Sequence, residues 1–359
     1  MAYTNIDDPS AHFQVALHSS AGPATITNDG NSDLQPDLIW SKARGAAHNH
    51  GLFDSTRGVT KFLESNTTTA EGTASAGFDL ISFDTDGFST GNNQFNTICG
   101  NTTYVAWQWK ANGGTTSSNT DGSITSTVQA NQDAGFSIVT YTGTGVYNKT
   151  VGHGLGATPA VVIVKNRTSA DTSYDDWWVF HHKTSNPINR VLALNEIGAE
   201  VSTTVFWSVL PSSTIFGVGG STNAPRYTNG ASQDYIAYCF AEKQGYSKFG
   251  KYIGNGNADG TFVYTGFKPA FLMVKRSDST SSWQIKDSAR NPNNLADKTV
   301  FANLTNTEYS TFYFYDLLSN GFKVRGTDGE LNASGGSYIY MAFAESPFTT
   351  STGIPTTAR

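Results

Sequence analysis

The amino-acid sequence predicts an all-β protein made of three tandem antiparallel β-sandwiches, each most simply of the jelly-roll type. Three observations lead there. Pro159-Ala-Val-Val-Ile-Val-Lys165 recurs in form as Pro36-Asp-Leu-Ile-Trp-Ser-Lys42 and Pro269-Ala-Phe-Leu-Met-Val-Lys275. Aromatic residues make up 13% of the chain and charged residues only 14%, leaving polarity to Ser, Thr, Asn and Gly, a mixture that suits pleated surfaces and turns rather than helices. Turn signals return roughly every 8–12 residues, the spacing of short sandwich strands.

Each proline-led run reads as a buried strand, because it is too short for a helix and is closed by a charge. Proline suits the first strand position, where its missing N–H costs no ladder bond. Upstream of these runs, His18, Tyr141 and Tyr252 each lead to a glycine (Gly22, Gly145, Gly256) in a turn-rich stretch that reads as a hairpin. Downstream, Leu52-Phe-Asp-Ser-Thr-Arg57 matches Ile285-Lys-Asp-Ser-Ala-Arg290, with Val179-Phe-His-His-Lys183 in the same place. Lys61, Arg190 and Lys298 then precede Asn66, Asn195 and Asn303 at one fixed spacing. Every copy closes on an aromatic strand: Tyr104 to Trp109, Tyr235 to Phe240 and Tyr338 to Phe343. A short helix is expected near residues 46–63 and 186–194.

The boundaries follow from this internal repetition. Residues 1–112 form the first repeat, 136–242 the second and 243–346 the third. Residues 113–135 read as a polar linker or an extended hairpin, and 347–359 as a Thr-rich tail, extended unless it docks on a neighbour. Stacked in a row, three sandwiches would make a stiff rod.

Composition excludes several functions. A net charge of −6 with no basic stripe argues against nucleic acid. No apolar run approaches the roughly 20 residues that span a bilayer, and the first residues lack the parts of a signal peptide. Cys99 and Cys239, in different repeats, are expected to be buried thiols rather than a disulfide framework. Neither a Gly-X-Ser-X-Gly elbow nor a phosphate loop occurs, so an enzyme is not expected, and no cofactor or metal is called for. His48, His50, His181 and His182 lack further ligands at metal-binding spacing. Asp84-Thr-Asp86-Gly87 reads as an Asx turn rather than a calcium loop.

The copies also separate shared from distinctive positions. Trp40, Trp109 and Trp207 face apolar or aromatic counterparts in the other copies, and read as core. Trp178 does not, because Gly51 and Gln284 stand in its place. Around it lie Tyr174, Asp175, Asp176, Trp177, His181 and His182. Aromatic faces beside acids suit a subunit or virion contact, a glycan contact, or core filling.

The opening residues 1–14, Asn31-Ser-Asp-Leu-Gln-Pro-Asp-Leu-Ile-Trp-Ser-Lys-Ala-Arg44, His50-Gly-Leu-Phe-Asp-Ser-Thr-Arg-Gly58, Phe83-Asp-Thr-Asp-Gly-Phe88 and Tyr104-Val-Ala-Trp-Gln-Trp-Lys110 resemble a module of structural proteins from marine tailed bacteriophages. The likeness is close in residues 1–112 and looser through the later copies. It implies a concanavalin-like sandwich, no catalytic residues, and a virion component exposed on the particle surface after assembly in the host cytoplasm. A tail fibre or adhesin contacting host glycan or protein is the first expectation, with other virion proteins as neighbours and a homotrimer as the assembly. A capsid decoration or head fibre comes second, and a glycan-degrading depolymerase third. The usual fibre anchor and coiled shaft are not seen.

Overall fold

The computed structural model describes residues 3–171, 173–221, 226–311 and 313–355. The chain is all-β and antiparallel. The first copy contains β1 (Phe13–His18), β2 (Ala24–Ile26), β3 (Leu38–Ala43), β4 (Gly51–Asp54) and β5 (Lys61–Phe62). It continues through β6 (Gly72–Thr73), β7 (Leu80–Asp84), β8 (Gly87–Thr90) and β9 (Tyr104–Trp109). The second begins with β10 (Ser117–Asn119), β11 (Ser126–Asn131), β12 (Phe136–Thr142), β13 (Lys149–Gly152) and β14 (Val161–Asn166). It ends with β15 (Trp178–His181), β16 (Arg190–Ala193), β17 (Val201–Ser202), β18 (Ile215–Val218), helix α1 (Arg226–Asn229) and β19 (Asp234–Phe240). The third holds β20 (Ser247–Ile253), β21 (Phe262–Tyr264), β22 (Phe267–Arg276), β23 (Gln284–Asp287) and β24 (Val300–Phe301). Its last elements are β25 (Tyr315–Leu318), β26 (Gly321–Val324), α2 (Gly329–Asn332) and β27 (Ser337–Pro347).

One strand order runs through all three copies: β1-β9-β3-β4, β12-β19-β14-β15 and β20-β27-β22-β23. The register agrees as well. Trp40 stands opposite Trp107, Ile163 opposite Tyr238, and Met273 opposite Met341. A second, smaller sheet accompanies each: β2-β8-β7, β13-β18 and β21-β26-β25.

The large sheets are buried on both faces, which is why β3 and β14 read as continuous apolar runs rather than alternating ones. One face packs on the copy's own small sheet. Ile39, Leu80 and Phe88 share such a core in the first copy, Val162, Phe216 and Val218 in the second, and Leu272, Leu317 and Phe322 in the third. The opposite faces meet in a single central core drawn from all three copies. At its middle lie Trp109, Phe240 and Phe343, the equivalent last aromatics of β9, β19 and β27. Their ring centroids are 6.4, 5.8 and 5.5 Å apart around the triangle. The copies therefore close around a common centre instead of stacking as a rod. The physical reason is the second apolar face of each large sheet, which only the other two copies cover.

Two local expectations change. Residues 46–63 form β4, a turn and β5, because pairing of Leu52 with Trp40 decides the conformation there. Residues 186–194 hold one 3-10 turn, Pro187–Asn189, followed by β16. Within residues 113–135, β10 and β11 form a hairpin that extends the second copy's sheet beside β12. In the tail, Ser351 N donates to Asp7 Oδ1 at 2.6 Å. Cys99 and Cys239 are both free and buried, and Trp40 and Trp207 lie in the core.

Candidate functional site

The polar residues that the copies share are spent at the joints between them. Lys42, Lys165 and Lys275 are fully buried. Each points its ammonium at a carbonyl of another copy: Lys42 Nζ donates to Thr305 O at 3.1 Å, Lys165 to Thr68 O at 2.9 Å, and Lys275 to Ile197 O at 3.2 Å. Those three carbonyls occupy one repeat position, two residues after Asn303, Asn66 and Asn195. Burial lowers all three lysines to about 8. The chain thus closes cyclically, first copy onto third, second onto first and third onto second.

The conserved spacing to asparagine has a matching role. Asn66, Asn195 and Asn303 accept from the backbone amides of His50, Trp177 and Trp283 at 2.9, 2.8 and 2.9 Å. Those side chains then reach the neighbouring copy. Trp177 Nε1 donates to Glu64 O at 2.8 Å and Trp283 Nε1 to Ala193 O at 2.9 Å. His50 accepts from Trp40 Nε1 at Nδ1 (2.9 Å), so its Nε2 carries the proton and donates to Phe301 O at 2.9 Å. Burial holds His50 well below the ordinary imidazole range.

Charged chains reinforce two joints. Between the first and second copies, Arg57 bonds Asp54 at 2.5 Å and Glu71 at 3.2 Å, and Glu71 bonds Arg167 at 2.8 Å. Tyr238 adds its hydroxyl to Asp54 at 2.9 Å. Between the third and first, Arg290 bonds Asp287 and Glu308, Arg44 bonds Glu308 at 2.9 Å, and Trp107 Nε1 donates to Asp287 at 3.0 Å. Burial opposes ionisation of Glu71 and Glu308, yet the guanidiniums beside them hold both below the usual carboxylate range. The joint between the second and third copies differs. His181 fills the position of Asp54 and Asp287, and Ser277 that of Arg44 and Arg167.

The sequence-derived patch is consequently divided rather than assembled on the surface. Trp177 is wholly buried in the central core and at its joint. His181 is buried and donates from Nε2 to Tyr340 O at 3.2 Å, while His182 donates to Phe249 O at 2.6 Å. Asp175 is buried, accepting from Asn166 at 2.8 Å and from Asp171 N at 2.7 Å; Asp176 accepts from Asn195 at 2.7 Å. Trp178 is 8% exposed and packs on Phe206 with centroids 4.3 Å apart. Tyr174 alone of the aromatics borders open space. Its ring lies 3.4 Å from the Arg226 guanidinium carbon, and Arg226 reaches Asp171 at 3.2 Å. These residues, with Asn166 and Gln233, line a shallow recess of about 290 Å³.

Among the described residues, no group of three or more His, Cys, Asp or Glu side chains comes together to hold a metal ion. No helix among them is long and apolar enough to cross a membrane.

One family model, a domain of unknown function named DUF7483, matches residues 8–347 in a single span across all three copies. The chain belongs to the DUF7483 family. No curated protein matches it significantly. The DUF7483 domain thus includes the three copies together, as does the central core. Sequence comparison found the shared lysines and asparagines but not what they touch, and it passed over Arg226, Glu71 and Glu308.

Proposed function

We propose that this DUF7483 protein is a non-enzymatic structural protein of a bacteriophage virion, a tail fibre or adhesin that contacts the host cell surface. The finer fold reading, three jelly-roll or concanavalin-like sandwiches, is part of the same proposal. The observation that carries it is the use of buried polar groups. Lys42, Lys165, Lys275, Asp54, Arg57, Asp287 and Arg290 all hold copies to one another, through 0%-exposed side chains where these form ion pairs. Such investment favours a rigid body over a reactive site, and rigid bodies with variable outer loops suit surface contact. The resemblance of residues 1–112 to phage structural modules supplies the virion context. Tyr174, Arg226 and Asp171 mark the recess we assign to host glycan or protein, since an aromatic ring beside an exposed ion pair offers both apolar contact and hydroxyl recognition.

The test is an adsorption assay with purified protein and the phage's marine bacterial host. Saturable binding to cells and competition with phage adsorption are expected. Binding to capsids without binding to cells would replace the adhesin by a decoration or head-fibre protein. Release of reducing sugar from host polysaccharide would replace it by a depolymerase. Light scattering in the same preparation separates the expected homotrimer from a monomer of 38.5 kDa, whose three copies are already joined.

A further inference from the structure

The three large sheets have one equivalent outer edge each, and the chain treats the three edges differently. In the second copy the edge strand β12 is covered by β11, with Gln129 opposite Ile138. Gln129 also spans to the first copy, donating to Ser55 at 3.0 Å and Thr56 at 2.9 Å. In the third copy the edge strand β20 is blocked by side chains. Phe249 N donates to Glu242 at 2.9 Å and Phe249 O accepts from His182 at 2.6 Å. In the first copy, β1 lies at the end of its sheet. Lys110 N donates to His12 O at 3.0 Å, which sets the ladder phase, so Phe13, Val15 and Leu17 turn their backbone groups away from β9.

Those outward groups border a cleft of about 490 Å³. Residues 27–30 form one wall; Ser288, Ala289 and Pro292 of the third copy form the other. Ser288 is the repeat counterpart of Ser55, the residue Gln129 reaches, and of His182, the residue that caps β20. The same slot therefore exists three times, once filled by a strand, once plugged by side chains and once, among the described residues, left open, with Glu345, the counterpart of Glu242, turned to Lys268 instead of to the edge strand. Leu17, 43% exposed, lies beside the open one.

We propose that the β1 slot takes an extended strand from a different protein, paired antiparallel to β1 as β11 pairs to β12. Main-chain bonds to Val15 provide the affinity, and the flanking positions provide selectivity. The residue opposite Val15 is an amide or hydroxyl side chain that reaches Ser288, as Gln129 reaches Ser55. The next residue, opposite Ala16, is apolar, as Val128 is opposite Val139. A lone strand rather than the sheet edge of a second copy is the occupant, because in the second copy the part of β11 that lies deepest, Gln129 to Asn131 opposite Ile138 to Phe136, runs past the end of β10, which pairs only with Ser126 to Val128.

The probe is a fluorescent peptide of residues 124–133, which contains β11, titrated into the full chain by anisotropy. Saturable binding is expected. Val15→Pro removes the outward N–H, a change tolerated on a sheet edge, and should weaken binding about tenfold or more. Ser288→Trp, which fills the slot from its far wall without touching β1, should do the same and decides the matter if Val15→Pro does not fold. Absence of saturable binding overturns the proposal. So does binding unchanged in both variants, which would mean that the peptide exchanges with β11. Concentration-dependent self-association abolished by Val15→Pro would overturn the choice of a foreign strand.

Discussion

Arg167 of the second copy grips Glu71 of the first through two bonds, Nε to Oε2 at 2.8 Å and Nη2 to Oε1 at 3.1 Å. Glu71 N also donates to Arg167 O at 2.9 Å, so backbone and side chains are joined at one point. The pair continues inward to Arg57, whose side chain is fully buried. Removing one member of such a chain leaves its partners charged and unpaired. Glu71→Gln should therefore cost about 3–5 kcal/mol of stability, measured by urea unfolding. Arg167→Ala, more exposed, should cost less.

Lys165 satisfies Thr68 O and Asp175 O, the latter at 2.6 Å. Lys165→Met keeps the stem and loses both bonds, which should destabilise by about 2–4 kcal/mol for two carbonyls left buried. A Met variant as stable as the parent would show that water replaces the ammonium.

Phe343 touches Trp109, Phe240 and Phe271 at the centre, with Trp109 and Phe240 belonging to the other copies. Phe343→Ala should cost about 3–5 kcal/mol, as large aromatic truncations in cores do. Its diagnostic feature is reach: hydrogen exchange should quicken in β9 and β19 as well as β27. Confinement of the effect to the third copy would contradict the shared core.

Acid should weaken the two joints that hold a buried imidazole, His181 between the second and third copies and His50 between the third and first, before the joint between the first and second. Burial, with His182 and Lys183 nearby, lowers His181 from 6.5 to about 3. The unfolded chain binds the extra proton first, so this contribution is intact above pH 6.5 and is lost as pH falls from there toward 3. Glu71 and Glu308, whose folded values are depressed from 4.5, contribute stability lost only below that value. Urea midpoints taken across this range should already fall above pH 4.5. His181→Gln, which can still donate to Tyr340 O, should make that upper part shallower and leave the share of the other buried imidazoles, His50 and His18.

Trp178 packs on Phe206 and Tyr227, and its Nε1 donates to Tyr174 O at 2.9 Å. Trp178→Ala should lower stability by about 3–5 kcal/mol. Unchanged melting with reduced cell attachment would return the indole to the role of a surface contact.

The repeat was legible because buried strands impose strict spacing. Pro-to-Lys runs, the asparagines and the closing aromatics stand at fixed offsets, so three copies, their strands and the core character of Trp40, Trp109 and Trp207 follow from one chain read against itself. The site was less legible. Trp178 lacks a matching residue in the other copies, which singles it out, but Phe206 and Tyr227 cover it, and they come from segments distant in sequence. Likewise a lysine after an apolar run reads as a solvated strand end, whereas Lys42, Lys165 and Lys275 are buried against another copy.

The sequence by itself determined the all-β character and the threefold repetition, since local alternation, turn residues and spacing record which strands each copy makes. Only the tertiary structure decided that the copies close around one centre, which buried charge meets which carbonyl, and which sheet edge stays open. The reason is that a strand's two faces and edge look alike along the chain, and what covers them comes from residues about a hundred or more positions away, as with Lys165 and Thr68 or Arg44 and Glu308.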